Sequence, residues 1–179
     1  MNPGRYVSDA EFAPAPLGSR GRITTLIVVA MTVVSLVVVL ALTLARNPMV
    51  PAKVLIAFAV VLPVHAAIWY GTRVRRYQLV GDELVVERAF RTVRLPLVGL
   101  KDATHDRDAM RGAWKVRGNH GMGTVSGRFR SKRLGRFDAY LSDREHAVVL
   151  RWPDRCVVIS PEQNAYFIEA VRKHAALDR

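Results

Sequence analysis

Between Arg111 and Arg136 the chain places Arg111, Lys115, Arg117, Arg128, Arg130, Lys132, Arg133 and Arg136 with no Asp or Glu among them. Gly112, Gly118, Gly121, Gly123, Gly127 and Gly135 are interleaved. Cationic side chains supply charge for an oxyanion, and glycines let backbone approach it closely. The segment is therefore the candidate surface for anions or anionic lipid headgroups. The alternative for the same residues is a set of tight turns and a solvated strand face. A nucleotide loop is not met: Gly118-Asn119-His120-Gly121-Met122-Gly123-Thr124 lacks the lysine of G-x-x-x-x-G-K-[ST], and Gly121-Met122-Gly123 lacks the third spaced glycine of G-x-G-x-x-G.

Other reactive types are sparse. His105-Asp106-Arg107-Asp108 offers metal-capable side chains, but no second cluster at a recognised spacing completes a site. Ser142-Asp143-Arg144-Glu145-His146 holds serine, acid and histidine in sequence, whereas nucleophilic catalysis needs convergence in space, so it reads as a polar turn. Cys156, the single cysteine, sits in the apolar run Cys156-Val157-Val158-Ile159 and reads as a small core residue. No catalytic residue, metal or cofactor is expected, and the chain is not read as an enzyme. Nucleic acid is disfavoured as a partner, because Trp114 and Phe129 alternate with basic residues as inward-pointing sheet residues would, not as a stacking platform.

The elements that hold these residues begin with two apolar runs, Ile23 to Ala45 and Val54 to Thr72, neither containing Asp, Glu, Lys or Arg. Each has about the 20 residues that an α-helix needs to cross a hydrocarbon core. Only residues 46–53 join them, so residues 23–72 are expected to form a transmembrane hairpin. A signal peptide is disfavoured, since the first run exceeds the usual core of about 7–15 residues and a second run follows at once. Arg20 and Arg22 precede the pair, Arg73, Arg75 and Arg76 follow it, and only Arg46 and Lys53 lie between. That asymmetry places both termini in the cytoplasm and the chain as a multi-pass protein of the cytoplasmic (inner) membrane. Trp69 and Tyr70 suit an interfacial belt. His65, beside Pro63, is the one titratable residue within the spans, and antiparallel pairing sets it level with Thr32 and Ser35 as an intramembrane packing contact. Residues 1–22 are rich in Pro and Gly without apolar period and are expected to be a disordered cytoplasmic tail.

About 105 residues remain, enough for one small domain. The protein carries 27 Lys and Arg against 15 Asp and Glu, a formal net charge of +12. From Tyr77 the apolar period shortens to alternating runs: Tyr77–Val80, Glu83–Glu87 across Gly81-Asp82, Phe90–Leu95, Trp114–Arg117, Ser126–Arg130, Phe137–Leu141, Ala147–Trp152 and Arg155–Ile159. They predict an antiparallel sandwich or barrel. Ser160-Pro161-Glu162-Gln163 has a capping-box pattern, so a helix starting there is expected, with Phe167, Ala170, Val171 and His174 on its packed face.

The run Tyr77 to Val86, the stretch Arg117 to Gly121 with Gly127-x-Phe129 and Leu134-Gly135-x-Phe137-x-x-Tyr140, and Ile159-Ser160-Pro161-Glu162 resemble bacterial pleckstrin-homology-like (PH-like) domains found behind transmembrane segments. The resemblance covers Tyr77 to about Leu177 and implies a membrane-anchored α+β protein with a cytoplasmic PH-like domain over 77–179. It implies a non-enzymatic binding or scaffolding module, with relatives that can form homo-oligomers. The partners expected are anionic membrane lipids and an unknown membrane or cytoplasmic protein. The phosphoinositide motif of eukaryotic PH domains is not carried over, since the first hairpin turns on Gly81-Asp82-Glu83. The rival reading is an accessory subunit whose hairpin packs against a transporter or envelope enzyme.

Overall fold

The computed structural model describes residues 10–46, 51–121 and 124–175. Two sheets face each other. The first has strand order β1-β2-β3-β4, with β1 Ala10–Phe12, β2 Val74–Val80, β3 Glu83–Arg88 and β4 Thr92–Pro96. The predicted β2–β3 hairpin is present: Val80 pairs with Glu83 across Gly81-Asp82, and Gly81 takes the positive φ of 55° that so tight a turn demands. The second sheet runs β5-β9-β10-β8-β7-β6, formed by β5 Asp102–His105, β6 Trp114–Gly121, β7 Thr124–Ser131, β8 Gly135–Leu141, β9 Val148–Arg151 and β10 Cys156–Ile159.

The second sheet is not wholly antiparallel as expected, because β10 pairs with β8 in parallel. After β8 the chain passes over one strand position, descends as β9, and returns as β10 into the position it skipped. β9 and β10 are covered on both faces. Val148, Leu150, Val157 and Ile159 enter the core between the sheets, while Val149 and Val158 enter a second core with Phe129, Phe137, Leu141 and Met110. That two-sided burial is why these strands read as continuous apolar runs.

The N-terminal segment corrects the expected disorder of residues 1–22. Residues 10–12 are a strand, with Ala10 opposite Leu79 and Phe12 opposite Tyr77. Residues 1–9 lie outside the described residues. Phe12 is buried edge-on against Phe167, 5.0 Å between ring centroids. Ala15 N–H donates to Ser160 O (2.9 Å), and Glu162 N–H donates to Ala13 O (3.0 Å). The prolines that suggested a tail suit an edge segment whose backbone bonds are few.

Helix α1 covers Ser19–Arg46 and α2 covers Pro51–Thr72, with Pro63 inside it. Over Gly21–Thr43, α1 is long and apolar enough to cross a membrane, and none of that stretch is fully buried. Its Thr25, Thr32 and Thr43 hydroxyls donate to the carbonyls four residues back, at 2.8, 2.8 and 2.6 Å. Thr32 is thus satisfied within its own helix, and Ser35 is exposed; the side chain of His65, their expected partner, lies outside the described residues.

The last helix, α3, runs Asn164–Ala175 and begins later than the capping-box pattern predicts. Gln163 O accepts the first helical bond, from Phe167 N–H (2.9 Å). Ser160 does not cap it, because its hydroxyl is already taken: Ser142 N–H donates to it at 2.9 Å and Asp143 N–H at 3.3 Å. α3 spans the opening between edge strands β1 and β5. Phe167 reaches Phe12 and Tyr77, and Arg172 donates to Ala103 O on β5 (3.1 Å).

Candidate functional site

The sequence-predicted basic segment folds into β6, β7 and the start of β8 and does not form one concavity. Two of its glycines serve close strand contact, Gly112 and Gly135 take positive φ in turns, and Gly123 lies outside the described residues. Gly118 and Gly127 face each other at φ 121° and 137°, and a Cβ on either would overlap the carbonyl oxygen of Ser126 or Arg117. Phe129 points inward and is fully buried, as expected, whereas Trp114 is 49 % exposed on edge strand β6, contrary to the inward orientation expected. The Arg130 guanidinium lies over its ring, 6.0 Å from the centroid. A bulge between Lys115 and Arg117 breaks the β6 register, and the flanking charges deter further strand pairing along that edge.

The two ends of the second sheet differ in surroundings. At one end lie the connections to the helices. Val74, two residues beyond α2, pairs with Arg88, whose Nη1 donates to Ser126 Oγ at the start of β7 (2.6 Å). Gly18, one residue before α1, lies against Asp143, just beyond β8. The other end carries the β7–β8 turn, with Lys132, Arg133 and Arg136, and the β9–β10 turn. At about 3.3 Å per residue, β7 separates the two ends by about 23 Å. The eight predicted residues therefore divide. Arg117 and Arg128 are cross-strand neighbours next to the Gly118–Gly127 pair, while Arg111, Lys132, Arg133 and Arg136 lie at or beyond the far ends of the strands and Lys115 and Arg130 between. All eight are exposed, but two are paired: Arg128 with Asp138 (3.3 Å) and Arg133 with Asp106.

Near the helices lies a second set, of which the sequence reading named Tyr70, Arg75 and Arg76 and missed Phe90, Arg88 and Tyr140. Phe90, in the turn between β3 and β4 and not in a strand as predicted, is 71 % exposed, and its ring meets Tyr70 at the end of α2, centroids 6.3 Å apart. Gly71 leaves the space that Phe90 occupies. Arg75 lies over the Tyr70 ring and donates to its hydroxyl. Arg76 bonds Glu87 (2.6 Å) and Glu11 of β1 (3.2 Å), contacts that raise its pKa, Glu87 first. Arg88 stacks on Tyr140, and burial lowers its pKa while raising that of Tyr140. The available signal was an aromatic flanked by arginines after a spanning helix.

Tyr77 and Ser160 form the polar centre of this end. The Tyr77 hydroxyl donates to Tyr140 O (2.8 Å) and accepts from Ser160 N–H (3.2 Å), and burial pushes its pKa up to about 12. Ser142 Oγ donates to Ala15 O (2.6 Å) and lies 3.1 Å from Ser160 Oγ. Ser142 is thus used in holding the N-terminal segment. His146 pairs instead with Asp143 (2.7 Å), so the Ser-Asp-His series does not converge as a nucleophile site. His105 Nε2 lies 2.9 Å from Glu145 O, and Asp106 is engaged by Arg133 and by Asp108 N–H (3.0 Å). Among the described residues no three His, Cys, Asp or Glu gather as metal ligands. Cys156 is half-buried and its pKa is raised to about 11 by burial, against a smaller opposing effect of Arg151.

The two sheets closed by one C-terminal helix coincide with a known unit. A family model described as a bacterial PH domain matches residues 75–175, more than half of the chain. The chain belongs to the bacterial PH domain family. The match starts one residue into β2 and ends with α3, so β1, α1 and α2 fall outside the matched PH unit. No curated protein and no solved structure matches the chain. PH domains are in general binding modules, not catalysts.

Proposed function

We propose that this bacterial PH domain is a non-catalytic binding module fixed to the cytoplasmic face of the membrane, with α1 and α2 crossing as a hairpin and the helix-proximal face resting on anionic headgroups. The observation that carries the reading is that β1, before α1, pairs with β2, after α2. If α1 crosses, the chain must cross back before Val74, and α2, with 22 residues or about 33 Å of helix, is the segment available. Arg20, Arg22, Arg73, Arg75 and Arg76 flanking the pair support the cytoplasmic side. Tyr70 and Phe90 supply an interfacial aromatic pair, and Arg75, Arg88 and Arg91 surround it with charge worth about 1 kcal/mol each near an anionic leaflet.

The far end of the sheet stands apart by about three screening lengths of roughly 8 Å each. Lys132, Arg133 and Arg136 are therefore offered to the cytoplasm in this reading, and Arg117 and Arg128 to the membrane. The test reconstitutes the full chain, with Cys156→Ala, in bilayers containing brominated lipid and an environment-sensitive label at Phe90→Cys or Arg133→Cys. Quenching at 90 and none at 133 is expected. No quenching at 90 would remove the membrane-resting face.

A further inference from the structure

At the end of the second sheet away from the helices, the β7–β8 and β9–β10 turns flank an open cleft of about 240 Å³. Arg136, Arg151 and Arg155 line it with one carboxylate, Asp154, around Trp152 and Cys156. Four other arginines of this domain, Arg76, Arg94, Arg128 and Arg133, take carboxylate partners, whereas Arg91, Arg111, Arg117 and Arg130 stand exposed without one among the described residues. Among the described residues the three cleft arginines have no such partner. Arg155 is also held in place: its guanidinium stacks 4.8 Å above the Trp152 ring, and the buried indole is itself fixed by donating to Pro96 O (3.0 Å). Arg155 Nε is buried and has no acceptor in the structure, as is also true of Arg88 Nε.

We infer that this cleft is a binding site for a compact oxyanion, a phosphoryl or carboxylate group of a soluble cytoplasmic molecule, held by Arg136, Arg151 and Arg155. Guanidinium forks match both groups bidentately, which a lysine would not do. At about 240 Å³ the cleft falls below the roughly 300–1,000 Å³ of pockets for drug-sized ligands, which suits a compact charged group. The soluble source follows from position. The cleft opens beside the starts of β8 and β10, whereas the ends of those strands, Leu141 and Ile159, adjoin the Ser142–Ser160–Ala15 contacts beside α1.

The test is calorimetric titration of the full chain in nanodiscs of phosphatidylcholine with pyrophosphate and with citrate at constant ionic strength. Saturable binding of at least one at a single site is expected. Arg155→Gln and Arg151→Gln should each weaken it at least tenfold, and Arg155→Lys, which keeps the charge and loses the fork, should weaken it as well. Arg107→Gln removes the same charge from an exposed position outside the cleft and should leave it unchanged, and thermal unfolding checks that every variant is folded. Absence of saturable binding, or equal weakening by Arg107→Gln, would overturn the site. Capture of added phosphatidylglycerol vesicles that depends on Arg155 would overturn the soluble source. Labels at positions 90 and 133 do not report on this cleft, so the membrane-face reading and the cleft stand or fall separately.

Discussion

At the residue scale, one hydroxyl carries an unusual share of the structure. Tyr77 joins Tyr140 and Ser160 where both sheets and the N-terminal segment meet, and its ring is fully buried. Its pKa of about 12 in the folded protein, against about 10 when unfolded, makes stability depend on pH in alkali. Above pH 10 the unfolded state gives up its proton while the folded state keeps it, so unfolding becomes easier as pH rises. The contribution is fully present below about pH 10 and is lost by about pH 12, a total of about 3 kcal/mol. Tyr77→Phe should lower stability at neutral pH by roughly 1–3 kcal/mol, since Ser160 N–H and Tyr140 O lose a partner. It should also flatten the decline between pH 10 and 12. Chemical unfolding at a series of pH values measures both, and an unchanged slope in the variant would assign the decline to other groups.

At the element scale, what could be read from sequence depended on whether a segment's pattern was fixed by its own neighbours. β2, β3, β7 and β8 were legible because alternation and Gly81-Asp82 are local signals. β1 and β5 were not: Ala10-Glu11-Phe12 and Asp102-Ala103-Thr104-His105 are too short to show a period and become strands only because an edge of a sheet is there to receive them. Ser160 had the composition of a cap, and a tertiary contact claimed its hydroxyl first. The basic segment was legible as charge, but its division between two ends of a sheet is a property of strand direction. The cleft arginines were invisible because Arg151 and Arg155 become neighbours of Arg136 only through the parallel β8–β10 pairing. α3 was read correctly as a packed helix, and its apolar face has a defined place between β1 and β5. Phe167→Ala should cost about 3–5 kcal/mol, because the ring is fully buried against Phe12 and Tyr77 and nothing adjacent can refill the space. An unaltered denaturation midpoint would mean that α3 is not docked in solution.

At the scale of the whole molecule, the helices and the PH domain are tied twice, at both ends of the α1–α2 segment. Val74 continues from α2 into the first sheet, and residues 10–15 return from α1 to the same sheet and to Ser160. A single tether would let the domain swing on its linker; two attachments on one sheet fix how that sheet is held relative to the helix ends, and in the proposed reading they set which face would meet the bilayer. Most side chains of α1 over Gly21–Thr43 are exposed and none is fully buried, at a mean hydropathy of 2.9, so the helix needs lipid or other apolar helices around it. These constraints together require that whatever side holds β1 also holds β2. Single cysteines at Pro48→Cys, between the helices, and Glu11→Cys, in β1, on a Cys156→Ala background should therefore label from opposite sides of sealed membranes: Pro48→Cys with an impermeant reagent applied outside intact cells, Glu11→Cys only after the cytoplasmic face is opened. Glu11→Cys also breaks the contact to Arg76, an exposed pair worth at most about 1 kcal/mol, so the strand is expected to stay paired. Labelling of both positions from one side would mean that α1 and α2 do not cross as a pair, and the apolar surface of α1 would then have to be covered by another protein.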